Sequence, residues 1–189
     1  MRFTPENIKE LKRNEVFVFG SNANGHHGGG AARCAMDYFH AEWGKGEGMT
    51  GQCYAIPTLD KNMRKVSPFA LLQSLKVFIR CHVKTNPDKV FLVTKNGCGI
   101  AGWSERGVAR LLYIAFRSEG LKRVPKNVIL PREFYLSYAD REDIRDIYFS
   151  LGLLRFMHKL AFTDEQHEHL YNQGMDLHNA LDCIISECE

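Results

Sequence analysis

The chain has 189 residues, 44% of them apolar and 25% charged, with a formal net charge of +3. This composition suits one domain with a sizeable core and excludes a disordered chain. The apolar runs fall short of the ~20 residues that span a bilayer, and the start, Met1-Arg2-Phe3-Thr4-Pro5-Glu6, has no secretory apolar core, so a cytoplasmic protein with no membrane partner is expected. The positive charge is spread along the chain and forms no basic stripe, a weak footprint for a nucleic-acid binder. Six cysteines without a C-x-x-C pair read as reduced, mostly buried thiols.

In chain order, Thr4-Pro5-Glu6 carries a cap-then-proline signal that predicts a short helix to about Arg13. Glu15 to Phe19 is an apolar, β-favouring run and predicts a strand buried on both faces. After the turn GSNANGHHGGG, Cys34, Ala35, Tyr38 and Phe39 recur at helical spacing, with Gly44 as the stop. Gln52 to Ile56 predicts a second strand, stopped by Pro57. Ser67-Pro68 opens a helix with Leu71, Leu72, Leu75, Phe78 and Ile79 on one face, broken by Asn86-Pro87-Asp88.

Val90 to Thr94 predicts a third strand, Ser104 to about Ser118 a helix, and Asn127 to Leu130 a fourth strand. This alternation predicts an α/β fold, a mostly parallel sheet with helices on both faces. From about Pro131 strand signals stop, and Asp140 with Asp143 and Thr163 with Gln166 mark helix starts. Residues 132–189 are therefore expected to be a helical extension of a domain spanning 1–131.

Two glycine loops carry the chemistry. Gly28-Gly29-Gly30 follows the first strand, and Gly97-Cys98-Gly99-Ile100-Ala101-Gly102 follows the third. Three ordered glycines in a row call for a close approach to the backbone. Loops leaving the carboxyl ends of parallel strands meet at the edge where open α/β sheets bind ligands, and glycine-rich backbone there offers amides to an anion. Gly97-x-Gly99-x-x-Gly102 also fits a dinucleotide fingerprint, but the acidic residue this needs about 20 positions on lands near Glu119, inside or just past a helix.

Taken together, Asn22, His27 and Gly28-Gly29-Gly30-Ala31, followed by Gly97-Cys98-Gly99-Ile100-Ala101-Gly102, resemble the two ligand loops of the macro domain, the ADP-ribose-binding α/β/α module. The string Gly-Cys-Gly-aliphatic is similar to the terminal ADP-ribose glycohydrolase branch, and with GQCYAIPT the chain resembles macro-like proteins of bacteria and phages. The likeness covers roughly residues 14–131.

The resemblance implies a three-layer α/β/α fold that binds ADP-ribose or an ADP-ribosylated macromolecule, nucleic acid entering only as a modified substrate, with hydrolysis of an ADP-ribose derivative as the leading activity. It implies that Gly20, Ser21 and Asn22 line the ligand, that Asn22 orients the distal ribose with His27 beside it as the two catalytic residues, and that Gly28 to Ala31 and Gly97, Cys98, Gly99, Ile100, Ala101 and Gly102 hold the ribose and diphosphate. Lys61 is the counterpart of the branch's lysine. The branch's aspartate position is Ala101, and the aspartate that holds adenine in many macro domains maps to Thr4, with Glu6 and Asn7 nearby.

A non-catalytic reader of ADP-ribose and a scaffold with a partner-binding tail are the competing classes. Asn24-Gly25 reads as a structural turn and His26 as exposed. Lys95 is a surface lysine near enough to the second loop to neutralise phosphate, Trp103 packs the helix start, and Cys98 is an apolar filler. His167 and His169, two apart, do not make the i, i+4 pair of a helical metal site, so neither metal nor cofactor is expected.

Overall fold

A computed structural model describes residues 2–136. The predicted helical stretches from Asp140 onward lie outside the described residues.

Five strands form one mixed, mostly parallel sheet: β1 (Glu15–Asn22), β2 (Gly48–Thr50), β3 (Cys53–Leu59), β4 (Val90–Val93) and β5 (Val128–Ile129). Their order is β2-β3-β1-β4-β5, with only β2 antiparallel. Four α-helices accompany them: α1 (Gly30–Phe39), α2 (Pro68–Phe78), α3 (Glu105–Ser118) and α4 (Arg132–Leu136). A π-helical turn, Ile79–Val83, continues α2.

The register shows how the sheet is covered. Phe17 pairs with Cys53 on one side and Leu92 on the other, and these pack with Phe19, Ala32, Ala35 and Phe39 in the core beneath α1. The alternate residues Val18, Tyr54 and Val93 point to the opposite face, where Tyr54 meets Phe78 of α2 at 4.8 Å. Strands buried on both faces are why Glu15 to Phe19 reads as a continuous apolar run with no alternation.

Four expectations need correction. Thr4 starts no helix: its N–H and hydroxyl donate to the carbonyls of Leu130 and Ile129, at 2.9 and 2.8 Å, and tie an irregular N-terminal segment to the sheet. The first helix stops at Phe39, not at Gly44, because His40 takes the left-handed conformation (φ 60) and its N–H bonds the Ala35 carbonyl. Pro57 does not stop β3. The carbonyl of Gln52 faces β1, so by alternation the Pro57 nitrogen faces the other edge, beyond Gly48↔Ala55, the last pair with β2, and no ladder donor is lost. Finally, β2 and α4 are additional elements, β2 sitting in a glycine-rich stretch with no β-branched run before Thr50.

Other signals hold. Ser67 accepts from the Ala70 N–H with Pro68 at the first helical position, and Ser104 accepts from the Gly107 N–H.

Candidate functional site

From β1 the chain moves through α1 toward β3, whereas from β4 it moves through α3 toward β5 on the opposite side. The connections diverge between β1 and β4, the position where open α/β sheets form a ligand crevice at the strands' carboxyl ends. Both glycine loops border it.

The first loop is built largely from its own bonds. Asn22 is 4% exposed; its Oδ1 accepts from the N–H groups of Asn24 and His26, at 3.0 and 3.1 Å, and its Nδ2 donates to the His26 carbonyl at 2.8 Å. One amide hydrogen is left for anything else. Ser21 Oγ donates to the Asn22 carbonyl at 3.0 Å and lies 3.3 Å from His27 Nδ1. The His27 ring is wholly buried, edge-on to Phe19 at 5.1 Å, and its Nε2 has no hydrogen-bond partner. Burial pushes its pKa below the ordinary value, and nearby backbone of Lys45 and Glu42 offsets part of that. The ring therefore sits under the loop as a neutral wedge, away from the surface.

Some glycines in this region serve the fold. A Cβ at Gly25, whose φ is +68, would lie 2.3 Å from the Lys45 nitrogen, and one at Gly20 would lie 2.9 Å from the Gly97 nitrogen. The segment 44–46 packs on the first loop, and Gly20 lets the two loops approach each other. Gly28 and Gly30 are different: a Cβ at either meets nothing within 4 Å. Gly29 faces the second loop, its Cβ position 3.6 Å from Ile100 Cδ1, and Ile100 is 79% exposed. The N–H groups of Gly28, Gly29, Gly30 and Ala31 donate to nothing among the described residues.

Helix starts sharpen the contrast. Gly29, at the N-cap of α1, supplies no side-chain cap and the first turn has no acid, whereas α2 and α3 are capped by serines and α3 adds Glu105. An open helix N-terminus attracts negative charge.

The second loop begins with a four-residue turn in which the Cys98 N–H bonds the Lys95 carbonyl at 3.1 Å and Gly97 has φ +77, as a type II turn requires. A second turn closes from Gly102 to Gly99, and the Trp103 N–H reaches back to the Gly97 carbonyl, both at 3.0 Å. The N–H groups of Gly97, Gly99, Ile100 and Ala101 donate to nothing else among the described residues. Trp103 is buried against Gly97 with Lys65 Nζ 4.5 Å from its ring, so it packs the helix start. Cys98 donates to the Asn96 carbonyl at 3.7 Å, and burial pushes its thiol up to about 12, leaving it protonated. Ala101 is buried and Gly102 exposed.

Lysines near the crevice are placed unequally. Lys95 lies 2.8 Å from Glu105 and 3.0 Å from Glu133, and these partners push its pKa up, so its charge is already matched. Lys61 is exposed, and its carbonyl accepts from Asn24 Nδ2 at 2.9 Å, so Asn24 braces the loop against the turn after β3. Glu119 lies at the C-cap of α3, bound to Arg80 through both oxygens, at 2.7 and 3.0 Å, and not at a strand end where a ribose would meet it.

Sequence reasoning missed Thr58 and Asn96. Thr58 Oγ1 donates to the Ser21 carbonyl at 3.1 Å and its methyl lies under Gly97. Asn96 reads in sequence as half of an Asn-Gly turn, and nothing in that pair signals that the side chain is buried. The described residues include no cluster that would hold a metal ion, and no helix among them is long and apolar enough to cross a membrane.

Comparison with known proteins returned no match to a family model, a curated protein or a solved structure.

Proposed function

We propose that the chain binds ADP-ribose or a closely related NAD-derived nucleotide in the β1/β4 crevice of a macro-domain-like three-layer fold. The observation that carries this reading is the pair of open amide sets, Gly28 to Ala31 and Gly97, Gly99, Ile100 and Ala101, on loops that flank one switch point. A diphosphate offers many acceptor oxygens and no donors, and matches such a surface without a large formal charge. The resemblance of the loops to those of macro domains supplies the ribose part of the ligand, while the position of the adenine-holding aspartate is Thr4, which bonds the Ile129 and Leu130 carbonyls.

Two versions follow. In the hydrolase version, the crevice holds an ADP-ribose derivative and a water near the anomeric carbon, with Asn22 orienting the ribose through its one uncommitted amide hydrogen. In the reader version, the same crevice binds without turnover. The geometry of His27 favours the reader: its imidazole is held neutral beneath the first loop, edge-on to Phe19 with Nδ1 against Ser21 Oγ, and Cys98 is a protonated thiol, so neither offers a base or nucleophile at the surface.

Calorimetry with ADP-ribose, beside AMP and NAD, tests the binding; saturable heat with ADP-ribose is expected, and none at millimolar ligand would refute it. Incubation with mono-ADP-ribosylated protein, read by mass, separates the versions: an intact modification fits the reader and its loss the hydrolase.

A further inference from the structure

Asn96 is 2% exposed and sits at the base of the second loop. Its Oδ1 lies 2.9 Å from Thr94 Oγ1, whose one proton is shared with the Val18 carbonyl, also at 2.9 Å; the Thr94 N–H donates to that carbonyl at 3.0 Å and fixes Thr94 to β1. The strands, not the loop, therefore set the plane of the Asn96 amide. Its Nδ2 is buried and has no partner.

An unpaired buried amide donor is costly, and folded proteins pair nearly all such groups. Leucine, of similar size, would fill the same space without that cost. Four further donors stand open beside Asn96, the N–H groups of Gly97, Gly99, Ile100 and Ala101, along with the carbonyls of Cys98, Ile100 and Ala101. Lys95, next in sequence, is neutralised by Glu105 and Glu133. Several convergent donors in one loop suit a group rich in acceptors. Nothing packs where a Cβ of Gly99 or Gly102 would stand, so the loop has room to shift and admit such a group.

We propose that Asn96 is a ligand-binding residue, its Nδ2 donating to a diphosphate oxygen of the nucleotide held by the second loop. This rests on the crevice reading above. It assigns to a side chain part of a task otherwise left to backbone amides, and it makes Asn96 a determinant of preference for diphosphate over an uncharged nucleoside.

The full-length protein, labelled with 15N at asparagine side chains, is titrated with ADP-ribose, ADP and adenosine, and Asn96→Leu is compared in affinity and melting temperature. The Asn96 amide signals should shift with ADP-ribose and ADP and stay in place with adenosine. Asn96→Leu should bind ADP-ribose at least about tenfold more weakly while melting no lower than the parent, because the unpaired donor is gone. Unmoved Asn96 signals in a protein that binds, or unchanged affinity in Asn96→Leu, would overturn the inference and leave the crevice reading standing. If the variant melts lower, the signals of the parent protein decide alone. Failure of the parent to bind ADP-ribose would overturn both.

Discussion

The two glycine loops look alike in sequence and are held differently. In the first, side chains serve mainly the loop itself: Asn22 bonds three backbone groups, His27 is buried beneath, and Asn24 braces the outside, so the ligand is left backbone amides and one Asn22 amide hydrogen. In the second, the anchors come from outside the glycines, Lys95 through two carboxylates and Trp103 through Thr58 and Gly97, and one buried side chain, Asn96, has a donor left over. A polar residue beside a glycine motif is therefore not automatically a ligand residue. What separates the roles is which hydrogen-bonding groups remain after the loop has satisfied itself.

The largest effect that would break this contrast is at Gly25. Alanine there is forced into a left-handed conformation and against the Lys45 backbone, and should cost about 3 kcal/mol or more in urea denaturation. Gly28→Ala, with open space around its Cβ, should leave stability within roughly 0.5 kcal/mol and weaken nucleotide binding. Equal stability losses at the two positions would erase the distinction between folding glycines and open ones.

Asn22→Ala comes next. It removes three loop bonds, two of them to backbone N–H groups, and should cost roughly 2–4 kcal/mol by denaturation. A variant as stable as the parent would return Asn22 to a purely ligand-facing role.

His27 gives a pH-dependent effect. Its folded pKa lies below the ordinary 6.5, as does that of His82, so below 6.5 the unfolded chain takes up protons that the fold resists. Stability is full above 6.5 and falls as pH drops from there toward the folded values. His27→Leu should make that acid loss shallower, with His82 supplying the remainder; urea midpoints at pH 7.5, 6.5 and 5.5 would show it, and an unchanged slope would mean that His27 is charged in the fold.

The smallest effect should be at Lys95. Lys95→Met breaks contacts to Glu105 and Glu133 that are about a third exposed, and should cost under about 1 kcal/mol, less in high salt.

Much of the sheet was legible because its inner strands are short apolar runs and because Ser67-Pro68 and Ser104 are strong helix starts whose signals are local. The N-terminal segment was misread because the Thr4 hydroxyl and N–H bond carbonyls more than a hundred residues away, which no local pattern reveals. Pro57 was misread for a related reason: whether proline ends a strand depends on which edge its nitrogen faces. At the site, the positions of both loops followed from glycine spacing after apolar runs. The division of work between Asn22 and Asn96 did not, since it depends on burial and on bonds closed by folding.

If the crevice takes a diphosphate, the open amides at the start of α1 are kept for that anion. Gly29 has extended backbone (φ −154) with room for a side chain, so Gly29→Asp should fold and cap the helix as Ser67 and Ser104 cap theirs. The measurement is ADP-ribose calorimetry on the parent and on Gly29→Asp, with their denaturation midpoints. A gain of about 1 kcal/mol in stability together with loss of ADP-ribose binding is expected, the new carboxylate taking the anion's place. Unweakened ADP-ribose binding by a folded Gly29→Asp would contradict it.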